Sequence, residues 1–260
     1  MFICRAFFIW IKSDTNWTYP FNFIVIINQS MTFAQKVIQF NNQLDFKGTL
    51  PPGINIMNPY KENGQASRIM NEFYTKYYND DNKRHLILGI NPGRFGSGVT
   101  GVAFTDSKRL KSVCGINYEG KETHEPSSVF IYEMIAAFGG AEEFYRHIYI
   151  NSICPLGFTA DTKDGKEINY NYYDSKDLTA SVYDFITWNI QTQIDLGCYT
   201  DTCFCFGTGK NETFLRKLND EKGYFNNIVA LEHPRFIMQY KAKTKQQYID
   251  KYIAAFNSVI

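Results

Sequence analysis

Three apolar, strand-like runs in this chain end on polar residues suited to chemistry. His85-Leu-Ile-Leu-Gly-Ile90 runs into Asn91, His147-Ile-Tyr-Ile150 into Asn151, and Asn227-Ile-Val-Ala-Leu-Glu232 into His233. A carboxamide donates and accepts hydrogen bonds but is a poor base, whereas an imidazole can donate, accept or carry charge near neutral pH. Converging at one place, two carboxamides and an imidazole would form a site, without yet defining a reaction. Taken singly, each has a structural role open to it: Asn commonly caps a turn, and His-Pro is commonly a loop element. The chemistry therefore depends on whether the fold brings the three strand ends to one place.

Long helix-bearing segments separate the runs, which favours parallel strands in one sheet. Parallel strands put their carboxyl ends on the same edge, where open α/β sheets bind ligands. A further run, Thr202 to Phe206, supplies another strand, and Gly207-Thr-Gly-Lys210 turns it into a helix. Helical spacing marks Phe33 to Phe40, the segment through Met70, Phe73, Tyr74 and Tyr77, and Ile131, Met134, Ile135 and Phe138. It recurs at Leu178, Val182, Phe185 and Ile186, and at Tyr248, Ile249, Tyr252, Ile253 and Phe256. Between these elements the sequence predicts a Pro/Gly-rich connector over Thr49 to Ile54 and a glycine-rich loop from Gly93 to Gly101. It further predicts a charged turn at Lys108, Arg109 and Lys111, and a polar Tyr/Asn-rich loop from Asp161 to Asp174. The expected fold is α/β, a three-layer α/β/α sandwich around a short, roughly four-stranded parallel central sheet.

The chain of 260 residues accommodates one sizeable α/β domain, expected over residues 31–260. Residues 1–30 read as an N-terminal extension of the reading frame. Their apolar runs, Phe2 to Ile11 and Phe21 to Ile27, are too short to span a membrane and lack the features of a secretory signal. A membrane-associating segment is the competing reading there. The six cysteines follow no disulfide framework and read as reduced thiols of an intracellular protein. Cys198, Cys203 and Cys205 are the one cluster that raises a metal, but Cys203 and Cys205 alternate with Phe204 and Phe206 in a buried strand, and no Cys-x-x-Cys pair accompanies them. No metal site is expected. A net charge of +1 neither demands nor excludes a polyanionic partner.

The densest motif is Gly89-Ile-Asn-Pro-Gly-Arg-Phe-Gly96, continuing to Thr100-Gly-Val-Ala-Phe104. Pro92 and Gly93 force a sharp turn after Asn91 and so can hold its carboxamide rigidly at the strand end. The segment lacks the Gly-Lys-Ser/Thr of a P-loop and the spacing of a dinucleotide-binding loop. Gly207-Thr-Gly-Lys210 places its lysine too close to Gly207 for a P-loop and offers at most a phosphate contact at a helix N-terminus.

The segment from Gly89 to Phe104 resembles motif one of the uracil-DNA glycosylase superfamily, nearest to its single-strand-selective monofunctional branch. Asn151-Ser-Ile-Cys-Pro-Leu-Gly-Phe158 resembles the same branch's Asn-x-x-Cys-Pro-Leu segment, and Glu232-His-Pro-Arg235 resembles motif two. The three matches occur in family order. The resemblance implies a monofunctional DNA glycosylase that hydrolyses the N-glycosidic bond of uracil, or another deaminated base, and so initiates base-excision repair. It assigns Asn91 to hold the attacking water and His233 to donate to the base oxygen that gains charge. Asn151 would read the base, Phe104 would stack on it, and Ile90, Gly93 and Phe95 would complete the pocket. Neither cofactor nor metal is implied.

Motif two departs from the family pattern, in which a serine usually follows His-Pro; here Arg235 and Phe236 follow. This loop would enter the duplex, with Arg235 at phosphate or the orphaned partner and Phe236 as an apolar wedge. The departure bears on strand preference and base range rather than on hydrolysis, and it suggests a divergent bacterial sub-branch. Lys108, Arg109 and Lys241 would add positive charge at the rim, while Lys111, Lys243 and Lys245 also fall near the motifs. The expected partner is DNA carrying uracil or another damaged base, bound by a cytoplasmic monomer working on nucleoid DNA without a membrane. Two rivals stand beside this reading: a non-catalytic nucleic-acid or base-binding protein on the same fold, and a nucleotide-binding α/β enzyme using the glycine-rich loops.

Overall fold

In the computed structural model, which describes residues 31–260, four apolar runs form one parallel sheet. Its strands are β2 (His85–Gly89), β3 (Ile148–Ser152), β6 (Thr202–Phe206) and β7 (Asn227–Leu231), in the order β3-β2-β6-β7. All but β7 are buried along their whole length, as continuous apolar runs must be when helices cover both faces. On one face Tyr149 packs edge-on against Phe33 and Tyr78, from the side of the helices Phe33–Gln43 and Gly64–Tyr77. On the other, Phe204 meets Phe256 and Phe206 meets Tyr252, which in turn contacts Phe130. The helices Pro126–Phe138 and Lys245–Asn257 thus complete the α/β/α layering. Thr32 begins the first helix with a reciprocal capping box to Gln35.

β2 is central, pairing with β3 through Gly89↔Ser152 and with β6 through Ile87↔Phe204. The chain therefore builds outward from β2 in one direction and then the other, and a crevice opens where the carboxyl ends of β2 and β6 part. Asn91 follows β2 by two residues and His233 follows β7 by two, so both stand at that edge.

A second sheet corrects the sequence reading. The connector expected over Thr49 to Ile54 leads into β1 (Ile54–Met57), and the polar loop expected over Asp161 to Asp174 holds half of a β-hairpin. That hairpin joins β4 (Gly157–Asp161) to β5 (Glu167–Tyr170), and the antiparallel order is β1-β4-β5. Glu167-Ile-Asn-Tyr170 is short, polar and partly exposed, so its strand character comes from pairing with β4 rather than from its own pattern. Two smaller differences concern helices. The glycine-rich loop contains a helical turn at Ser97–Thr100, and the charged turn is the helix Ser107–Ser112, capped by Asp106. The expectations for residues 1–30 lie outside the described residues. No helix among the described residues is long and apolar enough to cross a membrane.

Candidate active site

The crevice at the sheet's carboxyl edge holds a cavity of about 150 Å³. Pockets for drug-sized ligands usually measure about 300–1,000 Å³, so this one suits a single small ring. Its lining includes Ile90, Asn91, Gly93, Phe104, His233 and Arg235. Those six sequence-derived candidates are brought together. Phe95 lies instead in an adjoining cavity with Arg94, His124, Glu125 and Arg235, and is 53% exposed.

Asn91 is clamped from both ends of its carboxamide. Its Nδ2 donates to the carbonyl of Tyr170 at 3.2 Å, and its Oδ1 accepts from the N–H of Tyr172 at 3.1 Å. The clamp comes from the end of β5, which is itself tied to the main sheet. Tyr172 donates its hydroxyl to Asn211 at 2.8 Å, and Asn211 donates to the carbonyl of Phe206 at 3.0 Å. One amide lone pair stays available for a water or a substrate hydroxyl.

His233 owes its orientation to the residue after it. It is the N-cap of the helix Pro234–Tyr240. Pro234 has no N–H, so the first free donor of that helix is the N–H of Arg235, which bonds His233 Nδ1 at 3.1 Å. The neutral ring must then carry its proton on Nε2. Desolvation, reinforced by the charge of Arg235, lowers its pKa to about 4, so the ring is a neutral donor at ordinary pH.

Phe104 closes the cavity from above. Its ring lies 5.5 Å from that of Phe206 and 5.7 Å from that of His233, centroid to centroid. It is the one non-glycine residue at positive φ (52°) among those described. The loop on either side of that costly conformation is tied by Thr100, whose hydroxyl donates to the carbonyl of Thr105 at 2.7 Å and accepts from the N–H of Val102. Gly89 makes room beneath it, since a Cβ there would come within 2.8 Å of the ring.

Asn151 does not end its strand. β3 continues to Ser152, and Ser152 is the residue that lines the cavity. Asn151 is 9% exposed, donates to the Tyr149 hydroxyl at 2.7 Å and accepts from the N–H of Ser152 at 2.8 Å. One N–H and one lone pair of its carboxamide remain unused. At the rim, Arg235 is exposed and Phe236 is 42% exposed, with its ring against Tyr240. Lys108 and Lys241 are exposed, whereas Arg109 is engaged by Asp106 at 3.0 Å and by His124 at 2.9 Å. Lys111 and Lys245 pair with Glu122 and Glu133.

Several lining residues carried no sequence signal. Asn169 and Asn171 arrive on the hairpin, where Asn169 accepts from the N–H of Arg94 at 3.0 Å. Glu125 precedes Pro126 and reads as an ordinary helix cap, yet it faces both cavities. Burial and the nearby Asp106 push its carboxyl pKa up to about 7, against a smaller opposing effect of Arg235. The cysteines at 198, 203 and 205 are buried in the sheet region, where burial pushes the Cys205 thiol up to about 12.

The arrangement offers a small cavity, an aromatic ring at its wall, a clamped carboxamide and a neutral imidazole donor. Such a site can hold a planar heterocycle and stabilise charge on its oxygen. The family model of the Uracil DNA glycosylase superfamily matches residues 75–257. Among solved structures, wild-type SMUG2 of Pedobacter heparinus superposes with a TM-score of 0.87 at 65% sequence identity, over 88% of this chain and 99% of that one. No curated protein matches this chain.

Proposed function

The chain belongs to the uracil-DNA glycosylase superfamily, a DNA glycosylase-type hydrolase by that membership, and from this premise we propose that it releases uracil from DNA and so opens base-excision repair. The observation that carries the reading is the pairing of Phe104 with a neutral, Nε2-protonated His233 over a cavity of one ring's size.

In this reading the target nucleotide is flipped out of the stack and its base slides beneath Phe104. The unused N–H and lone pair of Asn151 match the O4 and N3–H edge of uracil. As the C1′–N1 bond breaks, negative charge gathers on the base, and the Nε2–H of His233 meets it at O2. Asn91 holds the water that captures the oxocarbenium-like sugar. Arg235 and Phe236 occupy the side of the DNA, with Lys108 and Lys241 contributing charge at the rim. The chemistry needs no cofactor and no Schiff-base lysine, so the product is an intact strand with an abasic site. The protein acts as a monomer on nucleoid DNA.

The test is an end-labelled oligonucleotide with one uracil, single-stranded and opposite guanine. Strand scission that requires alkali after incubation is the expected result. An intact strand after alkali, with the protein folded and in excess, would contradict the proposal.

A further inference from the structure

The one carboxyl group among the residues lining the cavity has no part in the chemistry described so far. Glu125 occupies the N-cap position of the helix Pro126–Phe138, but its side chain makes no capping hydrogen bond. Asp106 does that work instead, its Oδ2 accepting from the backbone N–H of Glu125 at 2.7 Å. The Glu125 carboxyl lies across the motif-one loop. A Cβ on Gly96 would overlap its Oε2, and one on Gly93 would stand 3.4 Å from its Oε1. The two glycines between Asn91 and the helical turn therefore form the seat of a carboxylate.

When water bonds to the sugar cation it releases a proton, which some group must take up before it passes to solvent or to the base anion. Among the residues lining the cavity, Asn91, Asn169 and Asn171 cannot, because an amide oxygen is not basic at neutral pH. Nδ1 of His233 already accepts from Arg235, and its Nε2 bears the donor proton. Arg235 is a permanent cation, and the serines at 97, 127 and 152 are weak acceptors. Building on the glycosylase reading, we propose that Glu125 is the general base, taking the proton from the water held by Asn91. The C1′–N1 electron pair leaves with the base, whose growing charge His233 receives. The water oxygen bonds to C1′ and its proton passes to Glu125. Loss of that proton to solvent or to the departing base anion restores the carboxylate.

The surroundings suit this role. Asp106, itself paired with Arg109, disfavours a second negative charge nearby, and Arg235 partly offsets it. His124 and the Arg94–Glu167 ion pair flank the adjoining cavity. The resulting carboxyl, titrating near neutrality, combines an adequate ionised fraction with real basicity. His233 titrates far lower, so an activity loss near pH 7 would not be its signature.

The experiment is single-turnover uracil release between pH 5.5 and 9 by the wild-type chain, Glu125→Gln and Glu125→Ala, with oligonucleotide affinity and melting temperature measured in parallel. The wild-type rate is expected to rise to a plateau with a midpoint at or above about 7, because the phosphates of bound DNA can only raise it. Glu125→Gln is expected to lose roughly 100-fold or more of the plateau and all of the pH dependence, with affinity changed only a few-fold. Added formate is expected to restore part of the rate to Glu125→Ala. A folded Glu125→Gln with the wild-type plateau and profile overturns the role of Glu125 alone, as does a loss confined to affinity. A wild-type chain inert on every uracil substrate overturns the glycosylase reading and this inference with it.

Discussion

Pro234 decides which nitrogen of His233 faces the cavity, because it withholds the N–H that would otherwise compete for the ring. Glu125 shares that cavity, a carboxyl held where ionisation is disfavoured. That placement should be visible in stability. Its folded pKa of about 7 lies above the ordinary 4.5. Between those values the native state binds more protons than the unfolded one, so this group's contribution falls as pH rises. Above pH 7 the ionised carboxyl should cost on the order of 2 kcal/mol, with its partial exposure allowed for. Glu125→Gln escapes that cost. Its melting temperature should exceed the wild-type value by several degrees at pH 8 and approach it at pH 5, as thermal melts across pH would show. His233 acts in the opposite sense, its lowered pKa removing stability as pH falls from about 6.5 toward 4, but it is common to both proteins and cancels in the difference. An unchanged gap at the two pH values would contradict the assigned environment. At this scale Asn91 and His233 were legible because they follow strand ends, and Phe104 and Arg235 only through the resemblance of the motifs that carry them. Glu125 was not, since Glu before Pro at a helix start has a sufficient structural reading.

The elements matter through what they hold still. The β4–β5 hairpin brings the backbone that clamps Asn91, and its Asn169 anchors the N–H of Arg94 in the motif-one loop. Gly89, the last residue of β2, serves the other wall by leaving space for Phe104. Gly89→Ala should force that ring, already in a strained backbone conformation, out of its place above the cavity. We expect a loss of about 1–3 kcal/mol in stability and at least tenfold in base release, measured by denaturant unfolding and single-turnover kinetics. Wild-type behaviour in both assays would show that the ring position is unimportant. The β2, β3, β6 and β7 runs could be read from sequence because continuous burial makes them apolar throughout. The hairpin could not, because Glu167-Ile-Asn-Tyr170 is polar and partly exposed and owes its geometry to a partner strand.

For the molecule as a whole, the order β3-β2-β6-β7 turns residues more than 140 positions apart into neighbours. The parallel sheet was expected from spacing, and with it the edge at which the cavity lies. Lateral order was not, since sequence separation does not say on which side of β2 each later strand pairs. Nor was the second sheet, whose three short strands do not resemble buried runs. In the proposed reaction this cavity is the place where the glycosidic bond breaks. The most direct test is single-turnover uracil release by the wild-type chain beside Asn91→Ala and His233→Ala, each with its melting curve. Release by the wild type, with each folded variant slower by about 100-fold or more, is the predicted result. A folded Asn91→Ala or His233→Ala that releases uracil at the wild-type rate would place the reaction elsewhere.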